Sequence, residues 1–334
     1  MFIILFFLFF MGLGLLFARW VIQEYHARRA RLRGPDAIEE GFFLKVGGLE
    51  QWVLIRGEDG RKPVLLLLHG GPGVSYVPFG SCFRGWEKDF VVVQWDQRGT
   101  GKTFGENKDA PLGIEVMVSD GLEVAEYLQK RFGSKVVLVA HSWGSILGIR
   151  MAARRPDLFS HYFAAGQVVD MAEGESLSYE LLRARLQTKK QALTALEKAG
   201  PPPYESIKRW MVKQRLIVMT SPPPKTGKLP GLFTAPLFTP GYDPMDCWNW
   251  FKAFGGTTSA MFAEMMSSKL GEVKLQIPAY FIHGDQDLQA PIEPVRARFG
   301  EDLIELPGDG HTVILSSPET FLEIFREKVT SPDS

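Results

Sequence analysis

The chain has 334 residues, 45% of them apolar and 23% charged, enough to bury a sizeable core in one large or two average domains. Lys plus Arg and Asp plus Glu are equal at 38 each, so no global field favours nucleic acid or another polyanion as a partner. The two cysteines, Cys82 and Cys247, stand far apart; they define neither a disulfide framework nor a metal site, and two lone buried thiols are expected.

The N-terminus departs from this ordinary picture. Residues 1–18 (MFIILFFLFFMGLGLLFA) carry no charge, and Trp20, Val21 and Ile22 extend the apolar run past Arg19. Residues 1–22 are therefore just long enough to cross a bilayer as a helix. A cleaved signal peptide would want positive charge before the run and small residues at a cleavage site. Here Arg19, Arg28, Arg29, Arg31 and Arg33 follow the run, which by the positive-inside tendency puts the remainder in the cytoplasm. The expectation is a single-pass anchor over 1–22 and a basic linker over 23–36; a secreted or periplasmic chain after cleavage is the alternative.

Two strand-like runs follow at 42–46 and 51–56, joined by Gly47-Gly48 as a hairpin. Residues 63–68 (PVLLLL), 90–95 (FVVVQW) and 135–140 (KVVLVA) are continuous apolar runs, as expected of strands buried on both faces of a parallel sheet. Helical spacing marks 114–132, a further helix is expected over 145–154, strands at 279–282 and 303–306, and a last helix near 318–328. Strands alternating with helices imply a mostly parallel sheet flanked by helices, an α/β class. From about 170 to 271 the alternation stops: the pattern is helical and irregular, with two proline triplets and many Trp, Phe and Met residues. An inserted helical cap over 170–271 accounts for it, dividing the core into 37–169 and 272–330.

Ala140-His141-Ser142-Trp143-Gly144 follows one of the buried strands and precedes a helix. A serine on so sharp a strand-to-helix turn needs small residues two before and two after it, which Ala140 and Gly144 supply. Its hydroxyl needs a base. His311, in the glycine-flanked loop Gly308-Asp309-Gly310-His311 after the last strand, is the candidate, while His283 ends a buried strand and reads as a packed residue. Asp285 and Asp287 follow the 279–282 strand; Asp287 is the expected orienting acid and Asp285 a turn-former. The loop His69-Gly70-Gly71-Pro72-Gly73 lets backbone N–H groups approach a developing oxyanion. The N–H groups of Gly71 and Trp143 are the expected donors; Pro72 has none to give. Neither a Walker Lys-Ser/Thr pair nor a G-x-G-x-x-G spacing accompanies the loop, so no nucleotide function is read here. No cofactor and no metal is expected.

Together the strings HGGPG (69–73), WDQRGTGKT (95–103) and HSWGS (141–145) resemble the proline iminopeptidase-related branch of the α/β-hydrolases over residues 40–330. The resemblance implies an α/β-hydrolase fold, an oxyanion hole in the HGGPG loop, and a structural DQRG loop in which Asp96 and Arg98 form part of an internal ion pair. Members that release N-terminal proline usually carry GGSWG at the nucleophile, where this chain has AHSWG, and use acidic cap residues to hold the substrate's amino group. The expected cap offers Glu173, Glu175 and Glu180 near its start and Asp243 and Asp246 near its end; Glu173 and Glu175 are the first candidates for that role, although acidic residues on a cap helix are more often a solvated face. The cap's density of Met and aromatic side chains suits a bulky apolar ligand better. Carboxylic ester hydrolysis is therefore the expected activity, a macrolactone being one specific case, and a proline iminopeptidase-type aminopeptidase the alternative. A non-catalytic ligand-binding role would show as a missing triad member, and all three are present. Epoxide hydrolases and haloalkane dehalogenases share the fold but carry aspartate at the position of Ser142.

Overall fold

The computed structural model describes residues 2–223 and 231–329, with side chains from residue 5 onward. Helix α1 (Phe2–Ala30) comes first, then strands β1 (Ile38–Val46), β2 (Leu49–Gly57), β3 (Val64–Leu68) and β4 (Val91–Trp95). Helices α2 (Gly101–Glu106) and α3 (Ile114–Phe132) lead to β5 (Val136–His141), α4 (Trp143–Arg154) and β6 (Phe159–Ala165). Five helices intervene before the next strand: α5 (Met171–Arg185), α6 (Lys190–Ala199), α7 (Ile207–Thr220), α8 (Ala235–Phe238) and α9 (Pro244–Met266). The chain closes with β7 (Ala279–Gly284), α10 (Glu293–Phe299), β8 (Leu303–Leu306), α11 (Val313–Ser316) and α12 (Pro318–Val329).

The eight strands form one sheet in the order β1-β2-β4-β3-β5-β6-β7-β8. Strand β2 runs antiparallel to its neighbours β1 and β4, and β3 to β8 all run parallel. The three apolar runs become the centre: every residue of β3, β4 and β5 is buried, because helices cover both faces of the sheet. Their alternate side chains feed two cores, Leu66 and Leu68 into one and Leu65 and Leu67 into the other. Helix α3 shows how the sequence builds a layer. Ile114, Met117, Val118, Val124, Ala125 and Leu128 form a buried stripe at helical spacing, and Gly133, in the left-handed region at φ 69°, ends the helix.

Two expectations need correction. Strand β6 was not among the expected strands, because Ser160 and His161 interrupt its apolar character; it pairs with β5 and β7 all the same, and His161 is covered on stacking against Phe163. The stretch expected as a basic linker, 23–36, is helical as far as Ala30. Glu24 and Arg28 pair one turn apart, and Arg19 and Gln23 donate to the carbonyls of Tyr242 and Thr239, so the end of α1 is docked rather than loose. Among the described residues α1 is the one helix long and apolar enough to cross a membrane: within Leu5–Ala30 its most apolar 18-residue window has a mean hydropathy of 2.2 and is unburied.

The inserted helices α5–α9 leave the sheet after β6 and return before β7. Asp170 and Lys269 close the two ends of the insertion on each other by a β-bridge and a 2.9 Å ion pair. Asp170 also caps α5, accepting from the N–H groups of Ala172 and Glu173.

Candidate active site

Because β3 to β8 are parallel, the loops after their C-terminal ends share one edge of the sheet, and every motif singled out above lies on such a loop. His69–Gly73 follows β3, Asp96–Gly99 follows β4, Ser142 ends β5, Asp287 follows β7 and His311 follows β8.

Ser142 is the only described non-glycine residue with positive φ (φ 51°, ψ −119°). The turn holds this costly geometry through close packing: a Cβ on Gly144 would lie 2.5 Å from the Leu68 carbonyl oxygen and 2.7 Å from that of His69. Only glycine lets the start of α4 press against the end of β3, and this contact brings the Trp143 backbone beside the HGGPG loop. The Ser142 hydroxyl stays half-buried and donates to His311 Nε2 over 2.8 Å. His311 Nδ1–H in turn donates to Asp287 Oδ2 over 2.8 Å. The other carboxylate oxygen of Asp287 accepts from the N–H groups of Gln289 and Ala290 at 2.8 and 2.9 Å. Burial opposes ionisation of Asp287, but the charge and hydrogen bonds of His311 and His283 outweigh it and hold its pKa well below the ordinary carboxylate range. Serine, histidine and aspartate thus form one hydrogen-bonded chain.

The neighbouring aspartate has a different task. Asp285 accepts from the Gly308 N–H at 2.7 Å and ties the β7 loop to the β8 loop. His283 is fully buried, bonds the Ala290 carbonyl at 2.6 Å and lies 3.4 Å from Asp287 Oδ2, so it supports the acid from behind. The DQRG loop departs from its expected pairing. Arg98 is in a buried ion pair, but its partner is Asp120 on α3, at 2.5 and 3.0 Å. Asp96 instead accepts from the Lys102 N–H at 2.9 Å, and burial pushes its pKa up to about 7.

Two residues that sequence reasoning missed complete the setting. The Tyr76 hydroxyl donates to His141 Nδ1 at 2.5 Å, and His141 Nε2–H donates to the His311 carbonyl oxygen at 2.8 Å. This relay pins the backbone of His311. Burial holds His141 neutral, with its pKa pushed down to about 3. His69 is likewise neutral, pushed down to about 4 by burial; its Nδ1–H donates to the Gly70 carbonyl and its Nε2 accepts from the Gln97 N–H. His141 was readable as the variable residue of the AHSWG string, but nothing in the string foretells Tyr76 as its partner.

Glu173 and Glu175 are not presented alike. Glu173 is exposed in the first turn of α5. Glu175 is buried and already engaged by the ammonium of the fully buried Lys213 and by Trp210 Nε1–H at 3.0 Å. Lys213 also donates to Ser178 Oγ at 2.8 Å, and Ser178 donates to the Leu288 carbonyl, so this buried cluster braces the loop that carries Asp287. Among the described residues no His, Cys, Asp and Glu cluster has the makings of a metal site.

Residues 65–324 match the model of the Alpha/beta hydrolase family. The "probable aminopeptidase YbaC" of Bacillus subtilis (strain 168) is 32% identical over 182 residues, 53% of this chain and 57% of its own length. A proline iminopeptidase of Thermoplasma volcanium is 30% identical over 125 residues, 37% of this chain and 40% of its own. The chain thus spans about half the length of these relatives. A proline iminopeptidase-related protein of Thermus thermophilus has the same fold, with a TM-score of 0.55 and 20% identity over 88% of this chain and 98% of that one.

Proposed function

This chain belongs to the alpha/beta hydrolase family, and from that premise we propose that it hydrolyses carboxylic esters with Ser142 as nucleophile, His311 as base and Asp287 as orienting acid. The observation that carries this reading is the continuous Ser142–His311–Asp287 hydrogen-bonded chain at the sheet edge. Ser142 Oγ attacks the ester carbonyl carbon while its proton passes to His311 Nε2. The carbonyl oxygen becomes an oxyanion facing the N–H groups of Gly71 and Trp143. Collapse breaks the carbon–oxygen bond, the alcohol leaves with the proton from His311, and Ser142 keeps the acyl group. Water, deprotonated by the same histidine, then releases the acid. Asp287 holds the imidazole tautomer and stabilises the imidazolium. In this reading the α5–α9 insertion (170–271) is the cap over the site, and α1 anchors the chain in a membrane.

Ester rather than N-terminal proline is favoured by Glu175. A substrate's α-ammonium needs a free carboxylate, and this one is neutralised by Lys213. The names of the relatives keep the aminopeptidase reading as the second one. A panel of neutral acyl esters, prolyl amides and macrolactones, run beside Ser142→Ala, tests both. Esters should outrun prolyl amides, and a phosphonate should label Ser142 alone, with labelling and turnover lost in the alanine variant. Preference for N-terminal proline, lost in Glu173→Gln, would favour the second reading, and full ester turnover by Ser142→Ala would remove the first.

A further inference from the structure

The surface around the emergence of α1 is unusually apolar for an exposed one. Phe233 is 62% exposed, Met245 and Trp248 are each 58% exposed, and Leu237 on α8 is exposed as well. They lie on or beside α8 and α9, the two elements that α1 meets. Helix α8 packs on α1, and the Arg19 guanidinium reaches the Tyr242 carbonyl at 2.6 Å and the Cys247 thiol at 3.6 Å. Met245 and Trp248 lie within one helical turn of Cys247 on α9. Arg19 is the first charge after the apolar run, so the segment that carries α8, α9 and these apolar side chains meets α1 where that run ends. The Lys252 ammonium sits 5.3 Å from the Trp248 ring centroid. An exposed aromatic beside a basic head group is the chemistry of a membrane–water interface.

The same part of the cap touches the active-site loops. Thr258 on α9 donates to the Pro72 carbonyl at 2.8 Å, and a Cβ on Gly73 would lie 2.6 Å from the Ala253 carbonyl oxygen. Phe233 stacks on Phe251 of that helix at 6.4 Å. Past the end of α7, Pro222 packs on Gly310 beside His311: a Cβ there would lie 3.2 Å from the proline Cδ. One structural unit therefore joins the docked end of α1, these apolar side chains and the loops bearing the triad.

We propose that Phe233, Leu237, Met245 and Trp248 rest in the head-group layer of the membrane that α1 enters, so that Ser142 takes its acyl ester from the lipid phase. The occupant of this surface is a bilayer because these side chains lie on or beside the elements that meet an unburied helix of membrane-spanning composition. The inference rests on the ester and anchor readings, and its test separates them. The full chain is reconstituted in phosphatidylcholine vesicles, some carrying lipids brominated near the head group, and tryptophan emission is compared among wild type, Trp20→Phe and Trp248→Phe. Both variants should lose part of the quenching. Loss in Trp20→Phe alone would overturn the proposal and leave these side chains to a protein partner; no loss in either would remove the anchor reading with it. Phe233→Ser/Trp248→Ser should then turn over a bilayer-resident long-chain ester at least tenfold more slowly, while a short water-soluble ester changes less than twofold. Equal effects on the two esters would overturn delivery from lipid. Persistent Trp248 quenching with neither ester hydrolysed by wild type would remove the ester reading alone.

Discussion

Ser142 holds a backbone conformation that serine seldom adopts, and nearly every other residue of the site supports that one placement. Asp287 illustrates how the support divides. It and Asp285 lie in one short loop, yet one carboxylate faces His311 and the other ties down Gly308. Asp287→Asn should leave folding largely intact while lowering kcat by about 10³–10⁴, since an amide favours the wrong imidazole tautomer. Asp285→Asn should change kcat only a few-fold and lower the melting temperature; the reverse ranking in paired kinetics and melts would exchange their roles. The buried histidines carry a second prediction. His69 and His141 have folded-state pKa values of about 4 and about 3, below the ordinary 6.5. The unfolded chain therefore binds protons that the folded chain refuses. Stability is full above pH ~6.5 and is lost as pH falls from there toward 4, by up to about 1.4 kcal/mol per pH unit for each histidine. Urea unfolding at pH 7 and pH 5 should show the loss, and His69→Gln should reduce its slope by about one proton.

At the scale of elements, the parallel centre was legible because its signal is local. PVLLLL, FVVVQW and KVVLVA need burial on both faces, and α3 carries its stripe within one helix. That Ser142, His311 and Asp287 come together was legible for a related reason: each sits on a loop directly after a strand, and parallel strands bring such loops to one edge. Strand β6 escaped because Ser160 and His161 are polar and interrupt its apolar run. The Arg98–Asp120 pair and the Tyr76–His141 relay escaped because spacing does not encode contacts between distant elements. The α5–α9 insertion is the clearest case. As a string, Glu175 is one of several acids on a helix; in three dimensions it is the buried partner of a lysine 38 residues on. Lys213→Met should therefore destabilise the fold by about 3–5 kcal/mol, because it leaves the Glu175 charge buried without a counter-charge. Lys213→Met/Glu175→Leu should recover much of that loss, as both charges are then gone. Chemical denaturation of the three chains measures it, and a double variant no better than the single one would show that the two charges are not coupled.

For the whole molecule, the question is what α1 does with an apolar surface that the domain does not cover. From Phe2 to Ile22 a helix rises about 30 Å, the thickness of a bilayer's hydrocarbon core. Arg19, in the last turn of that stretch, and Gln23, just beyond it, are bonded to the carbonyls of Tyr242 and Thr239, and the helix continues without a break to Ala30, whose carbonyl accepts from Arg56 at 2.5 Å. A membrane segment so joined would hold the domain that follows it close against the bilayer rather than on a free tether. The full chain should remain with membranes through high-salt and carbonate washing, because apolar insertion is not screened by ions as surface binding is. Removing residues 1–18 keeps the docked stretch and should abolish resistance to carbonate while the triad still takes up a phosphonate. Arg19, Arg28 and Arg29 follow the apolar run, so in intact cells the domain should resist protease added outside. A soluble mature chain beginning just after Ala18 would instead mark the segment as a cleaved signal and place the domain on the opposite side of the membrane.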